Sequence, residues 1–205
     1  MNKLVRSKMR KTLSLHKDAI DKLHTMWNDD KVLFYGNHIP EKSKGSVFLY
    51  GPTSRDGIPE YMWRKDAIFF LRRYGFSGTI FVPEYRGQSF LSDPDSLEHD
   101  FTDSRTIYKW ERDAGQAAEF KLFWIPRNTE QLLGLTTNRE IGQWMGRAEK
   151  DDSINNNLFI GWPSNASKMG SLQYELQESK VGYLQGEYFA SLKVLCKTLA
   201  IDVNI

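Results

Sequence analysis

Two glutamates stand in local patterns that could support catalysis, and Glu140 is the first of them. The segment Thr137-Asn138-Arg139-Glu140 opens an amphipathic stretch with helical spacing, after a strand-like apolar run. Thr137 and Glu140 have the spacing of a capping box, in which the glutamate closes back on the helix N-terminus. The same place favours an ionised carboxylate, because the helix dipole is positive there, and a nucleophilic carboxylate must be ionised. Glu140 is therefore either a helix cap or a candidate nucleophile.

Glu111 is the second candidate, and it lies on a predicted helix over residues 104–118. Helical spacing puts it beside an apolar stripe that includes Ala114. A carboxyl group in apolar surroundings has a raised pKa and can hold a proton near neutral pH. The alternative is an edge position from which the side chain reaches solvent. Glu84 and Asp56 are weaker candidates, since acids in loops are usually solvated.

Several common catalytic and cofactor sites do not fit the sequence. The four histidines, at positions 16, 24, 38 and 99, lack metal-ligand spacing, and Cys196 is the single cysteine, so neither a structural zinc site nor an intrachain disulfide is expected. The loop over residues 51–57 has neither the P-loop ending nor the glycine pattern of a dinucleotide site. No Gly-x-Ser-x-Gly motif of a serine hydrolase occurs. We therefore expect no metal and no cofactor.

The elements that would position these side chains alternate between strand and helix. Continuous apolar runs, most of them ended by glycine or proline, are typical of strands buried on both faces. The predicted strands cover residues 47–50, 79–82, 120–125, 158–160 and 181–184. The predicted helices cover residues 59–74, 104–118, 138–148, 172–177 and 187–199. This alternation predicts an α/β domain with a parallel sheet of about five strands and helices on both faces.

The chain divides into an N-terminal extension, residues 1–45, and a main domain, residues 46–205. The extension combines helical spacing over residues 13–27 with a short apolar run at 32–35. A polar stretch with proline and glycine then links it to the main domain. We expect the extension to pack on the main domain.

Charge and hydropathy limit the partners. The net charge is only +2, which argues against nucleic-acid binding as the main task, although basic residues cluster at positions 3–11. No apolar stretch is long enough for a membrane span, and no signal peptide is evident. The sequence therefore predicts a cytoplasmic protein that makes no membrane contact.

The chemistry is expected at one edge of the sheet, because ligands bind beyond the carboxyl ends of the strands in open parallel sheets. The residues at those ends are Tyr50, Gly51, Pro52, Glu84 and Arg127. Glycine and proline also have the simpler role of ending strands. Trp63 and Trp110, on the flanking helices, could stack on a nucleobase or belong to the core. Such a rim could hold a base by stacking and a sugar by hydrogen bonds.

Six sequence blocks occur in an order and spacing typical of one family. They are Val47-Phe48-Leu49-Tyr50-Gly51-Pro52-Thr53, Trp63-Arg64, Gly78-Thr79-Ile80-Phe81-Val82-Pro83-Glu84, Trp110-Glu111, Leu122-Phe123-Trp124-Ile125-Pro126-Arg127 and Thr136-Thr137-Asn138-Arg139-Glu140-Ile141-Gly142. The set resembles the nucleoside 2-deoxyribosyltransferase-like family over about residues 46–200. The resemblance implies a flavodoxin-like sheet and a homo-oligomer in which the C-terminal end of a neighbouring subunit closes the site.

The resemblance also implies residue roles. Glu140 occupies the place of the nucleophile, and Tyr50 matches an aromatic hydroxyl that holds the reacting carboxylate or sugar. Glu111 is the nearest match to an aspartate that handles the base or a proton in the relatives. The residues expected to bind substrate are Gly51, Pro52, Trp63, Glu84, Trp110, Arg127, Thr137 and Asn138.

The expected function is transfer of the sugar of a (deoxy)nucleoside or nucleotide to another base, through a covalent glycosyl-glutamate. One alternative is an N-glycoside hydrolase of nucleoside monophosphates, in which Arg86 or Arg127 binds the 5′-phosphate. Another is a nucleotide-sensing module that keeps the fold without turnover, because a fold does not dictate function.

Overall fold

The computed structural model describes residues 26, 29–41, 43–53, 63–84, 104–128, 132, 134–179 and 181–203. The strands are β1 (Val32–Leu33), β2 (Ser43–Tyr50), β3 (Ile80–Phe81), β4 (Ala118–Trp124), β5 (Leu158–Pro163) and β6 (Tyr183–Gly186). The helices are α1 (Trp63–Arg73), α2 (Ser104–Ala117), α3 (Leu135–Ala148), α4 (Asp152–Asn156), α5 (Gly170–Glu178) and α6 (Tyr188–Val203). No helix within these ranges is long and apolar enough to cross a lipid bilayer. The features predicted at residues 1–25 and 85–103, together with Asp56 and Arg86, lie outside the described residues.

Six strands form one sheet, and every neighbouring pair is parallel. The order across the sheet is β1-β3-β2-β4-β5-β6, which confirms the predicted parallel α/β fold. Without β1, the strands follow the flavodoxin-like order, in which the second strand flanks the first and the third, fourth and fifth follow on its other side. The strand order reverses between β2 and β4, so ligands are expected beyond the carboxyl ends of these two strands.

Strand β1, which is additional to the five predicted strands, comes from the segment that the sequence assigns to the N-terminal extension. Val32 and Leu33 pair with β3 at the edge of the sheet, and the amide of Tyr35 donates to the carbonyl of Glu84 at 3.1 Å. β2 likewise begins at Ser43, three positions before the predicted start of the main domain at residue 46. The predicted extension therefore contributes an edge strand to the sheet, and Tyr35 continues it towards the edge where chemistry is expected.

The side chains of β2 alternate between the two faces of the sheet, as the period of a strand requires. Val47 and Leu49 join α1 and α6 in one apolar cluster, whereas Phe48 and Tyr50 join α2, α3 and α5 in the other. Burial of apolar surface on both faces, at about 25 cal/mol per Å², holds the layers together. The side chain of Tyr50 therefore faces the space between the sheet and helices α2 and α3.

Helix α3 begins three residues earlier than the sequence predicts. Its N-cap is Gly134, which has a left-handed φ of 62°, and no side chain caps the helix. Thr137 is buried inside the first turn, and Glu140 lies in the second turn. The capping-box interpretation of Thr137 and Glu140 is therefore wrong. The helix dipole acts mainly within the first turn, so it is not the main influence on the charge of Glu140.

Candidate active site

A cleft opens between α2 and α3, on the face of the sheet that Tyr50 occupies. Its volume is about 380 Å³, within the range of roughly 300–1,000 Å³ that is usual for small-molecule sites. It brings together the three residues predicted to be catalytic, Tyr50, Glu111 and Glu140. The cleft lies where the strand order reverses, the usual place for a ligand in this kind of sheet.

A second depression of about 430 Å³ lies at the amino ends of β1 and β3 and includes Asp29, Lys31 and Arg72. Arg72 forms a salt bridge with Asp29 at 2.9 Å, and Lys31 donates to the carbonyl of Ser77 at 2.9 Å. These contacts tie the edge strand to the loop before β3. The depression is larger than the cleft, but it is more open and lies at the opposite edge from the three predicted catalytic residues.

The two carboxyl groups in the cleft titrate as a coupled pair. Burial, and after it the negative charge of Glu111, raise the pKa of Glu140 to about 7, against the opposing charges of Arg139 and Arg64. Burial also raises the pKa of Glu111, against a hydrogen bond from Tyr35 and the charges of Arg64 and Arg139. Between the two ionisations the pair holds one proton and one negative charge. One acid and one carboxylate are therefore present together in the pH range between the two ionisations.

Tyr35, which nothing in the sequence pattern singles out, reaches Glu111 from the segment after β1. Its hydroxyl donates a hydrogen bond to Oε1 of Glu111. Burial, and after it the charge of Glu111, raise the pKa of Tyr35 well above its usual range, so the phenol stays neutral and donates. The ring of Tyr35 meets Trp110 edge-on at 5.2 Å, and the Trp110 indole donates to the carbonyl of Asn37 at 2.9 Å. Trp110 is therefore a core residue that fixes its neighbour Glu111.

Tyr50 forms the floor of the cleft. Its ring stacks on Phe123 with centroids 4.5 Å apart, and its hydroxyl accepts a hydrogen bond from Nε1 of Trp144 at 3.1 Å. A Cβ atom at position 115 would overlap the Tyr50 hydroxyl, so the glycine on α2 makes room for it. Burial raises the pKa of Tyr50, the Trp144 hydrogen bond opposes this, and the charge of Glu140 adds to it. Tyr50 is thus a neutral phenol held in one position.

Glu84 lies beside the cleft and is paired with Arg64. The buried Arg64 guanidinium donates to Oε1 of Glu84 at 2.6 Å, and also to the carbonyl of Leu49 at 3.1 Å and that of Gly51 at 2.6 Å. These bonds join the carboxyl ends of β2 and β3. Glu84 therefore orients Arg64, whose charge acts on both carboxyl groups of the cleft.

Trp63 lies on the other face of the sheet from the cleft. It is fully buried in the cluster with α1 and α6, and its indole donates to the carbonyl of Pro52 at 3.1 Å. A Cβ atom at Gly51 would overlap the Trp63 ring and the carbonyl of Trp124. These contacts agree with the core interpretation of Trp63, and Gly51 and Pro52 shape the turn after β2.

The remaining predicted binding residues do not line the cleft: Arg127 follows β4, and Thr137 and Asn138 lie in the first turn of α3. Arg127 is buried and donates to Oδ1 of Asn138 and to the carbonyl of Lys168. Burial lowers the pKa of Arg127. Thr137 is buried in the first turn of α3. This group therefore fixes the position of α3, which carries Glu140.

No family model matches the sequence, and no curated protein matches it. The geometry of the cleft is therefore the basis for assigning chemistry to this chain.

Proposed function

We propose that the chain is an N-glycosidic-bond enzyme that acts on (deoxy)nucleosides or nucleotides, with Glu140 as nucleophile and Glu111 as proton donor. The observation that carries the proposal is the pair of half-buried glutamates in one cleft, with the pKa of Glu140 raised to about 7 and that of Glu111 also raised. Cleavage of a glycosidic bond with a covalent intermediate uses one carboxylate and one carboxylic acid, and such a pair supplies both.

In the first half of the reaction, a carboxylate oxygen of Glu140 attacks C1′ of the sugar. The bond from C1′ to the base nitrogen breaks, its electron pair stays on the base, and the base receives a proton from Glu111. The transition state resembles an oxocarbenium ion, which the neighbouring negative charge stabilises. In the second half, a nitrogen of another base attacks C1′ and gives its proton to the Glu111 carboxylate, while the bond from C1′ to Glu140 breaks and the Glu140 carboxylate leaves. Water in place of the second base gives hydrolysis.

The proton of the pair has to be on Glu111 when the base departs. The hydrogen bond from Tyr35 favours negative charge on Glu111, which places the proton on Glu140 before substrate binds. Positive charge that develops at C1′, next to Glu140, favours the ionised form of Glu140 and shifts the proton to Glu111. The two arrangements differ only in which glutamate holds the proton, so they have the same total charge. A trapping experiment therefore assigns the nucleophile.

Tyr50 is proposed to position the Glu140 carboxylate or the sugar, as the family resemblance implies. Its neutral phenol, stacked on Phe123 and bonded to Trp144, is held by the core. The same resemblance implies a homo-oligomer in which a neighbouring subunit completes the site. Light scattering on a size-exclusion column tests this: a monomer at micromolar concentration would contradict it.

The decisive experiment is mass spectrometry of the intact protein after incubation with deoxynucleosides and their 2-fluoro analogues. We expect a sugar adduct that peptide mapping places on Glu140, together with release of the base. Glu140→Gln should give neither, with an unchanged circular dichroism spectrum. Glu149→Gln, at an exposed glutamate just after α3, is the matched control and should react normally.

The other outcomes separate the parts of the proposal. An adduct on Glu111 would reverse the two roles while keeping the reaction. Absence of both adduct and base release for every nucleoside and nucleotide tested would contradict the enzymatic function. Base release with equal rates in the presence and absence of a second base would identify a hydrolase.

A further inference from the structure

The lining of the cleft is strongly cationic, and the proposed reaction does not account for this. Among the described side chains, five lysines or arginines line the cleft against two carboxylates. The whole chain has a net charge of only +2, so positive charge is concentrated at the cleft. A cleft lined by one sign of charge raises the local concentration of ligands of the opposite sign.

On helix α2, salt bridges neutralise part of this positive charge. Lys109 and Arg112 line the cleft and are largely exposed. Both form salt bridges with Asp113, at 2.6 Å and 3.0 Å respectively. The free positive charge on this side of the cleft is therefore reduced.

Helix α3 carries the charge that is not neutralised in this way. Arg139 and Arg147 share one stripe of the helix with Gln143, and all three line the cleft. Within the part of the chain that the structure describes, no carboxylate lies within salt-bridge distance of either arginine. Arg147 lies over the ring of Trp144 at 4.6 Å, which limits the conformations of its guanidinium.

We propose that the cleft binds a phosphorylated nucleoside in preference to a free nucleoside, with Arg139 and Arg147 holding the phosphate and Glu111 and Glu140 facing the sugar. This inference rests on the proposed function, because it names the substrate class of the same cleft. The two arginines are exposed whereas the two glutamates are half-buried, so the phosphate lies at the mouth and the anomeric carbon further in. Guanidinium groups bind phosphate oxygens through paired donors.

Binding is tested on the full chain with Glu140→Gln, which blocks turnover during the titration. The probes are the 2′-deoxynucleoside 5′-monophosphates of the four common bases and the matching deoxynucleosides. Isothermal titration calorimetry measures the affinity of each. We expect at least one monophosphate to bind about tenfold more tightly than its nucleoside, equivalent to about 1.4 kcal/mol. Adding Arg139→Gln and Arg147→Gln should remove this difference. Arg73→Gln, an exposed arginine at the end of α1, is the control and should retain it.

Equal affinities for nucleotide and nucleoside would overturn the inference, and so would a preference that survives loss of both arginines. A single-stranded oligonucleotide that binds more tightly than any mononucleotide, with a steeper salt dependence, would overturn it in favour of a polynucleotide surface. The proposed function is judged separately by base release from the unsubstituted chain. Arginine-dependent nucleotide binding without base release would contradict the function alone, whereas base release without phosphate preference would contradict this inference alone.

Discussion

The phenol of Tyr35 donates a hydrogen bond to the carboxylate of Glu111. The contact joins a segment that follows the edge strand to the helix that forms one wall of the cleft. A hydrogen bond to the ionised form of an acid favours that form, and the charge on Glu111 in turn raises the pKa of Glu140. A residue outside the cleft lining thus influences how the proton is divided between the two glutamates.

Tyr35→Phe should move the alkaline limb of the pH–rate profile to higher pH. Removing the hydroxyl removes the hydrogen bond that lowers the pKa of Glu111, so Glu111 loses its proton at a higher pH. Because the proposed proton donor then stays protonated to higher pH, we expect kcat/KM, measured by base release, to fall less between pH 7 and pH 9 than in the natural protein. Tyr183→Phe is the control, since its hydroxyl accepts hydrogen bonds from Gln173 and Gln177 away from the cleft. A profile that keeps its shape and only loses height would indicate a structural role for Tyr35.

Glu111→Gln should lower the pKa of Glu140. The negative charge of Glu111 is the second cause, after burial, of the rise to about 7, and the substitution removes that charge while keeping the shape of the side chain. Carbon NMR of proteins labelled at the glutamate carboxyl groups measures the shift, with Glu140→Gln identifying the resonance. Glu149→Gln should leave the titration unchanged. A Glu140 carboxyl that still titrates near 7 in Glu111→Gln would show that the two groups are not coupled.

Glu140→Gln should stabilise the fold at neutral and alkaline pH. The pKa of Glu140 is raised from 4.5 to about 7, so between these values the native chain binds more protons than the unfolded chain. The free energy of unfolding of the natural protein therefore falls as pH rises through that window. At pH 8 the variant should be more stable by on the order of 2 kcal/mol, with partial exposure of the group taken into account. Urea unfolding at pH 4.5 and pH 8 measures this, and a difference between the two proteins that is the same at both pH values would contradict it.

Gly115→Ala should disturb the floor of the cleft, although alanine favours helix formation. A Cβ atom at this position would overlap the hydroxyl of Tyr50, and strain from overpacking costs typically about 1–3 kcal/mol. That cost exceeds the gain of roughly 1 kcal/mol in helix propensity. Gly142→Ala is the matched control, because a Cβ atom there meets nothing within 4 Å. It should stabilise the chain by up to about 1 kcal/mol in thermal unfolding, and equal effects of the two substitutions would contradict the steric argument.

The order of the strands and helices follows from local pattern. Apolar runs such as residues 47–50 and 120–125 are long enough to identify as buried strands, and the stripes between them have helical spacing. The two-residue strand β1 is too short to produce such a pattern, so the apolar run at residues 32–35 is assigned to the N-terminal extension and not to the sheet. The observed start of α3 also differs from the predicted one. The helix begins after Gly134, which has a left-handed backbone conformation, and no side-chain capping motif indicates this start.

Local patterns are enough to predict the parallel α/β layers and to place Tyr50 and Glu140 near one edge of the sheet, because strand ends and helix starts are local features. The packing of the whole fold governs which candidates meet in the cleft. It directs Trp63 to the opposite face, pairs Glu84 with Arg64 at 2.6 Å and brings Tyr35 to Glu111 across 76 positions of the chain. The burial of the two glutamates and the charges around them both depend on residues that are distant in the sequence. Their pKa values are therefore raised only when the layers are packed together.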